Sequence, residues 1–186
     1  MCIRDRLHIG GVRTALYNFL FAKKQAGKLI LRIEDTDQTR LVEGAEEYLI
    51  TSLKWCGIEF DESTIHGGEY GPYKQSQRKE IYLPYAEKLV RDGFAYYAFD
   101  TEEELDIMRN RMKQAGIPSP QYNSITRNNM QNSLVLPESE VKKRIKDGVP
   151  YVIRIKMPRN EEVRLNDLIR GWVLINTNNM DDKVIF

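Results

Sequence analysis

Between residues 12 and 25 the apolar positions Ala15, Leu16, Phe19, Leu20 and Ala22 recur near a 3.6-residue period, which predicts a helix with one apolar face. Lys23 and Lys24 fall in its last turn, where cations suit the negative end of the helix dipole, and Gly27 is the expected stop. Residues 28–33 (KLILRI) are short and rich in β-formers, which predicts a strand. Residues 44–56 predict a second helix, with Tyr48, Leu49, Leu53 and Trp55 towards the core and Gly57 ending it. Residues 75–92 predict a third, which Pro84 either kinks or divides, because proline brings no N–H and crowds the preceding turn. A helix between two strands favours a parallel α/β sheet.

The pattern changes beyond residue 92. Residues 94–99 (FAYYAF) read as a strand, and Thr101 followed by Glu104 is a capping box that opens a helix reaching about Met112. Residues 116–130, with Pro118, Pro120 and several asparagines, read as loop, and residues 138–146 as a short helix. Residues 151–156, 162–165, 172–175 and 183–186 are β-like, without long helices between them. The expected division is an α/β half, residues 1–92, and a small α+β unit, residues 93–186.

Composition narrows the class. Of 186 residues, 41% are hydrophobic and 30% charged, as in a globular rather than a disordered chain. The 28 basic against 27 acidic side chains exclude a strongly basic coat for nucleic acid but allow a local basic patch. No apolar run approaches the ~20 residues that span a bilayer, and MCIRDR has no apolar segment behind it. Cys2 and Cys56 are too few for a disulfide scaffold and suit a reducing compartment, so the expectation is a cytoplasmic protein without membrane contact. Cys56 is expected in the core and His66 in a loop. Cys2, His8, Cys56 and His66 lack zinc-site spacing, so no protein-bound zinc is expected, and there is no G-x-S-x-G elbow.

Three segments carry candidate chemistry. Leu7-His8-Ile9-Gly10-Gly11 precedes the first predicted helix; glycines at a helix start let phosphate reach free N–H groups, although they equally suit a plain turn. Arg32-Ile33-Glu34-Asp35-Thr36-Asp37 lies at the carboxyl end of a predicted strand, where open α/β sheets hold ligands. Its crowded carboxylates call for a cation, an ammonium group or arginines such as Arg32 and Arg40, although capping a helix accounts for one of them. Residues 71–78 (GPYKQSQR) combine a turn signal with a helix start.

Taken in order, residues 7–18 (LHIGGVRTALYN), 31–37 (LRIEDTD), 71–76 (GPYKQS), 95–99 (AYYAF) and 166–171 (NDLIRG) resemble landmarks of the class I aminoacyl-tRNA synthetases in the form of their glutamyl branch. The resemblance runs from Leu7 to Phe186. It implies an α/β fold: an incomplete Rossmann-type catalytic domain with a small α+β insertion that binds the acceptor stem. It also implies activation of L-glutamate by ATP to glutamyl-adenylate, then transfer to the 3′-terminal ribose of tRNA, with Mg2+ accompanying the ATP. His8, Gly10 and Gly11 would hold ATP, His8 stabilising charge on the phosphoryl group. Glu34 would receive the substrate ammonium, and Asp35, Asp37 and Arg40 would surround substrate and tRNA end. Arg78 is a weaker candidate for phosphate contact.

The chain departs from that pattern in places. Gly11 stands where the HIGH segment has its last histidine. MCIRDR is too short for the strand and Pro-Ser-Pro-Thr-Gly-like loop that precede the segment, so Arg4 and Arg6 are given no role and the six residues read as a foreign end. The return half of the sheet, the KMSKS loop and the anticodon-binding domain are not in this sequence, and Lys156-Met157 followed by Pro158 is not that loop. The expectation is an amino-terminal portion, inactive in isolation. Alternatives are a tRNA-modifying paralogue, disfavoured because Thr36 stands where that group has IEDID; the glutaminyl branch, disfavoured by its DTNP; and an inactive RNA-binding or structural module.

Overall fold

The computed structural model describes residues 7–36 and 42–186. Contacts group the chain into two units, Met1–Ile81 and Tyr82–Phe186. Among the described residues no helix is long and apolar enough to cross a membrane.

In the first unit α1 spans Ile9–Lys24, so Gly10 and Gly11 lie in its first turn rather than ahead of it. The reason is local: the His8 side chain caps the helix, accepting the Gly10 N–H at 3.1 Å, which moves the start ahead of the first periodic apolar residue. At the other end the Gly27 N–H reaches Ala22 O and the Ala26 N–H reaches Lys23 O. The left-handed residue of this closure is Ala26, φ 50°, not Gly27. Residues 28–33 alternate as a strand should, with Leu31 and Ile33 buried and Ile30 and Arg32 exposed. They do not make a ladder, only single parallel bridges, Ile30 to Glu62 and Ile33 to Lys74. One segment changes neighbour along its length, because different loops supply the two partners.

Helix α2 spans Ala45–Trp55. Leu49 and Leu53 are buried as expected and join Ala15, Leu31, Ile33, Ala45 and Ile58 in the core. Tyr48 and Trp55 are not core residues: Trp55 is 87% exposed and Tyr48 46%. Cys56 is also exposed, at the C-cap. Periodicity marks a side chain's helix face, not what lies opposite. Gly57 ends α2 as expected, at φ 73°, with Ile58 N–H on Leu53 O. A 3₁₀ turn, Gln75–Arg78, leads into α3, Lys79–Arg91, which continues through Pro84 as one helix.

The second unit contains two antiparallel pairs. Strand β1 (Ala95–Ala98) pairs with β2 (Val152–Ile155), Ala95 opposite Ile155. Strand β3 (Glu162–Asp167) pairs with β4 (Gly171–Asn176) in a hairpin that leaves Leu165, Leu168, Ile169 and Trp172 exposed. Helix α4 (Glu102–Gln114) opens on the capping box, both hydrogen bonds formed, and α5 (Glu138–Lys146) has the expected bounds. Residues 183–186 give only one antiparallel bridge, Arg154 to Val184, instead of a strand. Buried Tyr96, Ala98, Tyr122 and Met130 form one cluster; Ala86, Ala95 and Ile153 form another. The buried Asp182 carboxylate accepts Tyr96 O–H at 2.5 Å, Arg127 at 3.1 Å and the Met157 N–H at 3.1 Å. Burial first, then that carboxylate, pushes the Tyr96 hydroxyl far up. The chain is thus a mixed α/β protein whose described ladders are antiparallel.

Candidate functional site

His8 is exposed, and its imidazole folds back over the start of α1. Gly10 makes this possible: a Cβ there would lie 2.9 Å from His8 Cε1. With Nδ1 accepting the Gly10 N–H, the proton of a neutral ring sits on Nε2, leaving a donor that points away from the cap. His8 lines a largely apolar cleft of about 460 Å³ with Val12, Tyr48, Trp55 and Cys56.

The second and third segments meet at Asp35, which is buried. Its Oδ1 accepts the Ser76 N–H at 2.8 Å and its Oδ2 the Ser76 O–H at 2.6 Å. Burial pushes this carboxyl up, but the two Ser76 bonds and the nearby Lys74 charge outweigh it and hold it below the ordinary aspartate value. Lys74 pairs with Glu46 of α2 at 2.8 Å. Burial opposes ionisation of Glu46 too, and the Lys74 bond and charge prevail. Asp35 therefore takes the capping role, for the turn at Ser76, while Glu34 beside it stays exposed. Asp37 and Arg40 lie outside the described residues.

A second cleft, about 510 Å³, is lined by Thr14 and Asn18 of α1, Arg32, Tyr70, Tyr73 and Arg78 among others. Arg78 donates to the carbonyls of Pro72 at 2.8 Å and Tyr70 at 3.2 Å, so its guanidinium braces the loop. Behind the wall sits Glu62, which accepts Tyr73 O–H at 2.5 Å, the Tyr70 N–H at 3.2 Å and Lys28 at 3.1 Å. The Tyr73 bond, foremost, holds Glu62 below the usual carboxylate range against its burial. Burial and Glu62 push the Tyr73 hydroxyl up.

The tertiary structure thus joins Asp35 to Ser76, and places His8 and Arg32 along separate clefts. Glu62 and the cleft-facing Thr14 and Asn18 escaped the sequence reading. The signal for Thr14 and Asn18 is two polar residues four apart amid apolar ones, hence on one helix face. For Glu62 it is Gly67-Gly68: Gly68, at φ 141°, has no room for a Cβ, which would lie 2.4 Å from Glu62 Cδ. Among the described residues no three His, Cys, Asp or Glu side chains form a group that could hold a metal ion.

Residues 5–186 match the family described as tRNA synthetases class I (E and Q), catalytic domain. A glutamate–tRNA ligase of Cytophaga hutchinsonii is 60% identical over 179 residues, 96% of this chain and 35% of that protein. One from Amoebophilus asiaticus is 59% identical over 179 residues, with the same coverage of 96% and 35%. The crystal structure of a glutamate tRNA ligase from Elizabethkingia meningosepticum, in complex with its amino acid, matches with a TM-score of 0.90 at 51% identity, over 100% of this chain and 37% of that one. The chain spans about 35% of the length of the curated relatives it matches.

Proposed function

The chain belongs to the class I tRNA synthetases for glutamate and glutamine, within their catalytic domain, and on that premise we propose that the protein carrying it is a glutamate–tRNA ligase. The observation that carries the proposal is 60% identity over 96% of the chain to a glutamate–tRNA ligase.

In the proposed reaction a carboxylate oxygen of L-glutamate attacks the α-phosphorus of ATP, and the bond to the bridging oxygen breaks to release pyrophosphate. A hydroxyl of the 3′-terminal ribose of tRNA then attacks the glutamyl carbonyl carbon and AMP leaves. The residues of this chain serve mainly by position and charge, since phosphoryl transfer asks for little else. The start of α1, where Gly10 and Gly11 bring no side chain, lets ATP phosphates approach the positive end of the helix dipole. His8 Nε2–H donates to phosphate oxygen as negative charge grows there. The exposed Glu34 carboxylate takes the ammonium of glutamate, and Asp35 holds the turn beside it against Ser76. Asp37 and Arg40 extend these surroundings towards the tRNA end. Mg2+ arrives with the nucleotide phosphates. Residues 1–92 act as the first half of a Rossmann-type domain and residues 93–186 as the insertion that binds the acceptor stem, in a cytoplasmic enzyme.

The test is charging by the complete protein, with radiolabelled glutamate, ATP and tRNA. Glutamate should become attached to tRNA in an alkali-labile ester, and periodate oxidation of the terminal ribose diol should abolish it. Label that ribonuclease A leaves on an internal oligonucleotide, rather than releasing with the 3′-terminal adenosine, would show transfer to a base and favour the tRNA-modifying alternative. Absence of glutamate transfer would overturn the proposal.

A further inference from the structure

Glu62 is a carboxylate with 3% of its surface exposed, and no part of the proposed chemistry uses it. A buried carboxylate is costly unless its lone pairs are met, and here three donors from separate positions converge on it: Tyr73 O–H, Tyr70 N–H and Lys28 Nζ. Gly68 brings its backbone against the same group, at a φ of 141° that side chains avoid. The main chain of Glu62 is also tied in, its carbonyl accepting the Leu31 N–H at 2.9 Å.

These bonds lead to Glu34. Tyr73 is held at its ring tip by Glu62, and its carbonyl accepts the Ile33 N–H at 2.8 Å. The Ile33 carbonyl in turn accepts the Gln75 N–H at 2.9 Å. Ile33 is fully buried and immediately precedes Glu34, and Ser76 immediately follows Gln75 and holds Asp35. The two residues that flank Glu34, Ile33 and Asp35, are both anchored to the 73–76 segment that Glu62 secures.

We propose that Glu62 is a positioning residue: through Tyr73 it fixes the backbone that presents Glu34, and so sets the affinity for the ammonium group of the amino-acid substrate. The inference rests on Glu34 as acceptor of that ammonium in a glutamate–tRNA ligase. Glu62 is enclosed and acts through its neighbours, not on the substrate.

The experiment measures glutamate and ATP KM values in tRNA charging by the complete protein, with melting temperature on the same preparations. Glu62→Gln keeps the size and removes the charge; Tyr73→Phe removes only the hydroxyl that joins the two. Each should raise the glutamate KM roughly tenfold while the ATP KM stays within about twofold, since displacement of one contact leaves the nucleotide site in place. The double variant should be no worse than the weaker single variant, because both act through one bond. Lys28→Ala, at a largely exposed ammonium, should change little. Should Glu62→Gln fail to fold, Tyr73→Phe decides. Equal changes in both KM values, or a glutamate KM within about twofold of wild type, would overturn the positioning role. A wild-type protein that charges no tRNA with glutamate would instead remove the functional reading and this inference with it.

Discussion

Ser76 gives both of its hydrogen-bond donors to one side chain, Asp35, the N–H at 2.8 Å and the hydroxyl at 2.6 Å. The pair joins segments 41 residues apart and turns a carboxylate that reads as a ligand into the cap of a turn. Glu34 beside it is exposed.

Ser76→Ala should lower stability by about 1.5–3 kcal/mol, the usual worth of a hydrogen bond to a charged group, seen as a lower melting temperature at pH 7. The same pair gives an acid limb. Because the folded Asp35 carboxyl is held below its ordinary value of 3.8, its contribution is present above that value and is lost as pH falls through the lower folded one. Asp35→Asn should therefore melt below wild type at neutral pH, and the gap should close below about pH 4. A gap independent of pH would contradict this.

His8 combines a cap and a proposed phosphate donor, and two substitutions separate them. His8→Ala loses both, at a cost of about 1 kcal/mol for the cap and a drop of ~10²–10³ in kcat. His8→Asn keeps a capping side chain, so its melting temperature should approach wild type while the rate stays low. A rate restored by asparagine would show that the imidazole serves only the cap. ATP affinity should change little in either, if the donor acts mainly in the transition state.

Ala26 closes α1 in a left-handed conformation, φ 50°, that a Cβ disfavours. Ala26→Gly should stabilise the protein by about 0.5–1 kcal/mol, the reverse of the usual penalty for glycine in a helix. Chemical denaturation with an unchanged slope against denaturant is the measurement; no gain, or a loss, would count against the closure described.

Asp100 has the opposite sign from Asp35. It accepts the Gln131 N–H at 2.7 Å and Tyr122 O–H at 2.9 Å, yet burial prevails and raises its carboxyl above 3.8. The folded state then holds its proton longer than the unfolded one, so stability falls as pH rises from the unfolded value through the folded value. Asp100→Asn can keep both contacts, accepting from Gln131 and donating to the tyrosine oxygen. It should melt at or above wild type at pH 7 and lack that fall above about pH 4. A variant markedly less stable at pH 7 would show that the ionised carboxylate is favoured in place.

Local chemistry was legible in the sequence wherever a feature is set by neighbours three or four residues apart. The Thr101–Glu104 capping box, the stop at Gly57 and the bounds of α5 all depend on bonds within one helical turn, and each stands as the residues imply. Five motifs in one order were enough to indicate the family that the match over residues 5–186 establishes. Only the tertiary structure decided which apolar side chains are covered: Leu49 and Trp55 both belong to the predicted apolar set of α2, but one is buried and the other faces outward. It also decided the partners of the polar groups. Asp35 finds Ser76 and Glu62 finds Tyr73 because folding brings distant loops to one buried place, where a carboxylate must be met by donors or be expelled. Periodicity along a chain records a residue's own face; the neighbour across that face is a property of the folded chain.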